Sequence, residues 1–199
     1  MRPPSSFTAG QRRGWRTAIA LTLTRLALAP AILALGVTRA PGAWIALLLV
    51  VGFISDVLDG VIARRANAVT PALRRVDSAA DIAFYLSLAL AAWLMHRDVL
   101  VAYRWAILAV LGGEIANAAL AWLRFRREAS YHTVVARGWG ALLFASLIVL
   151  FWRGEATLVP FALALGIIAE AESLAITMAL REWRTDVRGL WSVMRDADR

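Results

Sequence analysis

Long apolar stretches alternate with short arginine-bearing segments along the whole chain. Six stretches stand out, near residues 16–37, 43–63, 77–95, 101–123, 138–152 and 157–180. A helix of about 20 apolar residues crosses the hydrocarbon of a bilayer, so each is a candidate span, the fifth being short. The first is too long for a secretory leader and lacks a small-residue cleavage site, so it is expected to stay as a span. The pattern predicts an all-α integral membrane protein with six transmembrane helices over residues 15–182. Residues 1–14 are small, polar and basic, and are expected to be a disordered lead. In the tail, 183–199, Trp183, Val187, Leu190 and Met194 share one helical face. That tail reads either as an amphipathic helix on the membrane surface or as a polar extension. Connections are short, so any site has to be built from the helices themselves.

Composition agrees with a membrane protein. The 199 residues are 60% hydrophobic, well above a soluble domain of this length. Cysteine is absent, which removes disulfides and thiol chemistry. A net charge of +8 raises nucleic acid as a partner, but the arginines cluster between apolar runs. That placement suits anionic lipid headgroups, and no nucleic-acid partner is expected.

Arginine position also sets orientation. Arg2, Arg12, Arg13 and Arg16 lie at the N-terminus, with Arg64, Arg65, Arg74 and Arg75 in the second loop. Arg124, Arg126, Arg127 and Arg137 surround the fourth loop, and Arg181, Arg184 and Arg188 lie in the tail. The alternate loops hold Arg39, Arg97 and Arg153. The asymmetry predicts an inner or plasma membrane protein with both termini cytoplasmic. Eight tryptophans, at 15, 44, 93, 105, 122, 139, 152 and 183, fall near span ends, as an aromatic belt would.

Candidate chemistry concentrates where the second and third spans meet. Asp56 and Asp59 come late in the second span, and Asp77 and Asp81 open the third. Spacings of three and four residues put each pair on one helix face. A short loop, 65–76, turns the two faces toward each other. Four carboxylates beside a membrane need a positive charge between them, and hard oxygen ligands suit Mg²⁺ or Mn²⁺. The plain alternative is that the aspartates pair with Arg64, Arg65, Arg74 and Arg75. Gly60 fits a backbone approached closely by a ligand, or helix packing. Arg64 fits a phosphate partner, or a positive-inside anchor.

The run D-x-x-D-G-x-x-A-R followed by D-x-x-x-D resembles the signature of the CDP-alcohol phosphatidyltransferase family. Leu21-Thr22, Arg25 and Pro30 resemble the family's opening, with Ile19 where an asparagine is usual. Asn67 and Thr70 fit the usual loop. The resemblance implies transfer of a phosphatidyl or similar substituted phosphoryl group from a CDP-linked donor to an alcohol, releasing CMP. It implies that Asp56, Asp59, Asp77 and Asp81 hold two divalent cations, with Asp81 also the general base. Gly60, Ala63, Arg64 and Thr70 would meet the nucleotide and its diphosphate. Size and layout resemble the bacterial phosphatidylglycerophosphate synthases, which makes CDP-diacylglycerol the expected donor and glycerol 3-phosphate the expected acceptor. Another polyol acceptor stays open. The resemblance also implies a homodimer and a role in phospholipid biosynthesis.

Leu73 departs from the pattern, standing where the family usually has a second glycine. Its bulk is expected in the path of the nucleotide, and it is the best argument for a rival reading, a non-catalytic descendant of the same fold. A small cation transporter would also use intramembrane carboxylates, but would not need Gly60, Ala63 and Arg64 in register. Further along, Arg124 and Arg137, in a basic loop with Arg126, Arg127 and His132, are candidates for an acceptor phosphate, although ordinary positive-inside arginine is the stronger reading of that loop. Glu114 and Asn117 share a face of the fourth span. Glu170 and Glu172, only two residues apart, point in different directions. Intramembrane acids usually face a bundle interior, and these are expected either to line the acceptor route or to bond structurally to Arg25 or to each other's helices.

Overall fold

The computed structural model describes residues 3–127, 131, 133–180, 182–184, 187 and 189–197. Arg2, His132, Arg181 and Arg188 of the sequence reading lie outside them. Among the described residues the protein is built from α-helices and their connections. They are α1 Ala9–Val37, α2 Gly42–Arg65, α3 Pro71–Met95, α4 Arg97–Ala102, α5 Arg104–Phe125, α6 Val134–Arg153, α7 Val159–Ala179 and α8 Leu190–Ala197. All but α4 and α8 are long and apolar enough to cross a membrane. The chain is a multi-pass, all-helical membrane protein.

Two helix starts differ from the hydropathy reading, for the same reason. α1 begins at Ala9, inside the segment expected to be disordered. Thr8 accepts from the Gln11 backbone N–H, and the Gln11 side chain accepts from the Thr8 N–H, which closes a capping box. α3 begins at Pro71, not 77. Thr70 caps it through the Leu73 N–H, and proline suits the first turn, where its missing N–H costs nothing. Both extensions are polar, so hydropathy passes over them.

The chain divides into two compact units, Met1–Arg97 with Phe151–Gly154, and Asp98–Leu150 with Glu155–Arg199. In the first, α1 packs against both α2 and α3. Gly52 of α2 lies under the Phe84 ring of α3, where a Cβ would collide with it. Close approaches of this kind drive helix association in lipid, where apolar burial gives little.

Above the spans, the start of α1 clamps the α2–α3 loop. Trp15, Ala18, Ala63, Ala68 and Leu73 form a buried cluster with Phe7, Ile19 and Ala66 against it. The loop leaves α2 through Asn67 at φ 48°, with Asn67 N–H bonding Arg64 O and Ala68 N–H bonding Ala63 O, a Schellman turn. Gln11 Nε2 donates to Asn67 O, and Trp15 Nε1 donates to Thr70 Oγ1. Trp15 is therefore 2% exposed, not part of a headgroup belt. Trp44, Trp93, Trp105, Trp122 and Trp152 are exposed near helix ends, as a belt requires.

In the second unit α7 packs on α5 and α8. Ile176, Leu180, Val187 and Val193 are buried together, with Phe125, Tyr131 and Leu190 against them. The apolar side of the tail thus docks on the end of α7, while Trp191 stays exposed.

Candidate active site

The first unit gathers four carboxylates and one guanidinium. Asp56 and Asp59 come from α2, Asp77 and Asp81 from α3, and Arg25 from the middle of α1. Arg25 is 1% exposed and lies at the centre of the group. Its Nη1 donates to Asp56 Oδ1 at 2.7 Å and to Asp81 Oδ1. Its Nη2 donates to Asp59 Oδ2 at 2.6 Å and to Asp77 Oδ1 at 2.5 Å. A guanidinium has four Nη hydrogens, and all four are spent, one on each carboxylate. Thr22, one turn earlier on α1, donates to Asp59 Oδ2 at 3.0 Å.

Helical periodicity explains the convergence. Thr22 and Arg25 are three apart, Asp56 and Asp59 three apart, Asp77 and Asp81 four apart, so each helix presents one polar edge to the others. Exposure is graded within the group. The Asp59 side chain is 6% exposed, whereas Asp56, Asp77 and Asp81 are 36–42% exposed. Asp59 is the anchored floor, and the other three are partly exposed. The sequence reading places Arg25 in the family-like opening and offers it to the intramembrane glutamates, and does not join it to the aspartates that it holds. Its signal was an arginine in mid-span, costly unless it faces partners inside the bundle. The arginines of the α2–α3 loop are not the partners of the aspartates; Arg25 takes all four.

Charge leaves work for a cation. Four carboxylates and one guanidinium sum to three negative charges in a largely apolar setting. Arg25 contacts one oxygen of each carboxylate and leaves the second. Oxygens of Asp56, Asp59 and Asp77 come within 4.8 Å of one another. One divalent cation with oxygen ligands at about 2.0–2.6 Å can bridge that spacing. The donor set, all hard oxygen, fits Mg²⁺ or Mn²⁺ and not a soft metal. Asp81 joins the other three through Arg25.

Beside this centre is a cavity of about 210 Å³, lined by Ala18, Thr22, Asp59, Gly60, Ala63, Arg64, Val69, Leu73, Arg74 and Asp77. Gly60, Ala63 and Arg64 thus share one wall with two of the aspartates. The Arg64 guanidinium folds back one turn over Gly60, where a Cβ would sit 3.1 Å from Nη1. A side chain at position 60 would meet the flexible end of Arg64, which a shift of a few tenths of an ångström relieves, so the glycine keeps that guanidinium close to the helix without being sterically required. Thr70 does not line the cavity, its hydroxyl being engaged by Leu73 N and Trp15 Nε1. Leu73 is 6% exposed and belongs to the Trp15 cluster while forming part of the cavity wall. Its bulk therefore fills the space between α1 and α3, and does not simply stand in the cavity.

The polar residues of the second unit have other uses. Arg124 donates from Nη1 to Thr177 O at 3.0 Å and Met178 O at 2.7 Å, and from Nη2 to Leu180 O at 3.1 Å. It closes the C-terminus of α7, so the cation offered to an acceptor by the sequence serves carbonyls that would otherwise lack donors. Arg137 Nε lies 3.5 Å from Thr133 O. The Thr177 hydroxyl donates to Asn117 Oδ1 at 2.6 Å and lies 3.1 Å from the Tyr131 hydroxyl, joining α7 to α5. Glu170 lies against Gly113 of α5, and Glu172 accepts from Leu190 N–H at 3.3 Å. The two acids do point in different directions.

A family model described as CDP-alcohol phosphatidyltransferase matches residues 15–182. No curated protein and no solved structure matches the chain.

Proposed function

The chain belongs to the CDP-alcohol phosphatidyltransferase family, and we propose that it transfers a phosphatidyl group from CDP-diacylglycerol to glycerol 3-phosphate, releasing CMP. Membership by itself makes it a phosphotransferase enzyme of phospholipid biosynthesis that moves a substituted phosphoryl group from a CDP-linked alcohol to an acceptor. The observation that carries the finer reading is the group of four carboxylates on one guanidinium, with Arg64 on the adjoining cavity wall.

Asp56, Asp59, Asp77 and Asp81 would hold two divalent cations, Mg²⁺ or Mn²⁺, through the oxygens that Arg25 leaves. Bound there, such cations supply charge for the diphosphate and polarise the phosphorus. Arg25 fixes the direction of each carboxylate by holding its other oxygen, so the ligand set is preorganised. Thr22 keeps the buried Asp59 in place. Arg64 grips the diphosphate, with Gly60 and Ala63 leaving room for its approach. Asp81 takes the proton of the acceptor hydroxyl. The acceptor oxygen bonds to the phosphorus of the lipid-linked phosphate, the bond from that phosphorus to the bridging oxygen breaks, and CMP leaves with that oxygen. Ala18, Ala63 and Leu73 form an apolar wall that keeps water from competing with the acceptor. Thr70 serves by fixing the first turn of α3, and Arg124 by closing α7.

The arginine asymmetry supports an inner or plasma membrane location with both termini and the site on the cytoplasmic side. Cysteines introduced into this Cys-free chain at 97 should label from outside with an impermeant thiol reagent, and cysteines at 65 should not. The reverse pattern overturns the orientation. Assembly as a homodimer follows the family, and crosslinking in membranes tests it: a species of twice the monomer mass is expected, and its absence speaks against it.

The test of the reaction is CMP release by purified protein given CDP-diacylglycerol, Mn²⁺ and a panel of alcohols. Release that depends on glycerol 3-phosphate is expected. Release with an unphosphorylated polyol alone changes the acceptor, and no release with any acceptor rejects the activity.

A further inference from the structure

The cavity beside the aspartates carries a second guanidinium that neither the carboxylate centre nor the D-x-x-D-G-x-x-A-R run accounts for. Arg74, in the first turn of α3, lines the cavity together with Arg64. Their chain neighbours Arg65 and Arg75 do not line it. Membrane orientation needs only positive charge on the correct side and is indifferent to which of the four faces a pocket. The selective placement of Arg64 and Arg74 therefore asks for another cause.

Neither guanidinium has an ion pair or hydrogen bond among the described residues. Asp77 is the obvious partner for Arg74, three residues on along the same helix face. It is turned instead to Arg25, at 2.5 Å. The cavity walls around Arg74 include Ala18, Ala63, Val69 and Leu73. Arg74 is exposed, so solvent reaches its guanidinium, and an anion that enters the cavity meets a cation with no carboxylate to displace.

Charge accounting separates the roles of the two arginines. The four carboxylates and Arg25 carry three negative charges together. Two divalent cations would turn this to one positive, and Arg64 would make it two, which matches the two charges of a diphosphate diester. Arg74 is then surplus to the donor. It is matched by a second anion, and the other molecule that has to enter is the acceptor.

We propose that Arg74 is a specificity-determining residue that binds the phosphate of a phosphorylated alcohol acceptor. The proposal rests on the transferase reading above and assigns its acceptor phosphate to the first unit instead of to Arg124. The guanidinium offers a planar fork of donors, the geometry that phosphate oxygens accept in pairs. An acceptor phosphate held at the mouth of the cavity directs the free hydroxyl of the same molecule toward the carboxylates.

The experiment compares wild type, Arg74→Gln, Arg74→Lys and Arg75→Gln as purified full-length proteins. Arg75→Gln removes the same charge from the same turn but not from the cavity. Steady-state CMP release is measured with CDP-diacylglycerol and Mn²⁺ against glycerol 3-phosphate and inositol phosphate, each paired with its unphosphorylated counterpart. Arg74→Gln should raise the KM for the phosphorylated acceptor on the order of tenfold or more, the effect of losing a charged hydrogen bond. The KM for CDP-diacylglycerol should stay put, Arg74→Lys should recover part of the loss, and Arg75→Gln should behave as wild type. Equal effects of Arg74→Gln and Arg75→Gln overturn the proposal. So does a loss confined to the donor KM, or a wild-type enzyme that uses only unphosphorylated alcohols. Calorimetric binding of inorganic phosphate to the same proteins gives a readout apart from turnover. Phosphate binding that is lost in Arg74→Gln, in a protein that releases no CMP, keeps the anion site and rejects the transferase. Absence of both binding and CMP release rejects both.

Discussion

The two units of the chain use buried polar groups in opposite ways. In the second unit polar groups close helix contacts by neutral or capping bonds: Thr177 with Asn117, Arg124 with the last carbonyls of α7, Glu172 with the start of α8. In the first unit five ionic side chains from three helices meet at one point, and one cation is shared among four anions. Structural polarity in a membrane is local and matched. Charge left unmatched and concentrated is what a site for multivalent ligands requires.

The largest effect should come from Arg25. Arg25→Met removes the cation that all four carboxylates share, leaving Asp59 buried, and the three partly exposed aspartates crowded beside it, without compensation. A cost of about 3–5 kcal/mol is expected from breaking a buried ion pair. Thermal melts in detergent should register the loss, and CMP release should vanish. A variant as stable and active as wild type would mean that the four contacts are incidental, and the contrast between the units would collapse.

Leu73→Gly is next. Leu73 packs with Trp15, Ala18, Ala63 and Ala68, so the change opens a hole in the clamp above the site. Deleting a buried leucine costs about 2–5 kcal/mol. The melting temperature should fall, and donor binding should weaken as the clamp loosens. Unchanged stability with tighter CDP binding would show instead that the leucine merely crowds the nucleotide.

Arg124→Ala sharpens the comparison from the other side. It should destabilise by about 1–3 kcal/mol through lost charged hydrogen bonds to carbonyls. The KM for either substrate should not move. A rise in acceptor KM with stability intact would return Arg124 to the substrate-binding role read from sequence.

The spans were legible because six apolar runs are long enough to cross a bilayer, and hydropathy needs nothing more. The start of α1 at Ala9 was missed although Thr8 and Gln11 spell a capping box, because Arg12, Arg13 and Arg16 hide the helix from an apolar count. Thr70-Pro71 marks the start of α3 in the same way. At the site, the aspartate spacing and the turn between α2 and α3 were readable as periodicity. Arg25 was not, because its partners lie 31 to 56 residues away and only packing reveals that a mid-span arginine reaches all four. Leu73 looked like an obstruction because a sequence departure carries no direction, and its side chain turns into a cluster that includes Trp15 from another helix.

The central claim is that the carboxylates of the first unit hold the divalent cations on which transfer depends. Asp59→Asn tests it most directly, since Asp59 is the buried floor of the group and asparagine keeps its shape while removing its charge. Mn²⁺ binding by calorimetry and CMP release from CDP-diacylglycerol should be measured on the same preparations of wild type and variant, with and without chelator. The account predicts Mn²⁺ binding and Mn²⁺-dependent release in the wild type, and loss of both in the folded variant. Release that persists in chelator, or an Asp59→Asn protein that binds Mn²⁺ and turns over like wild type, would contradict it.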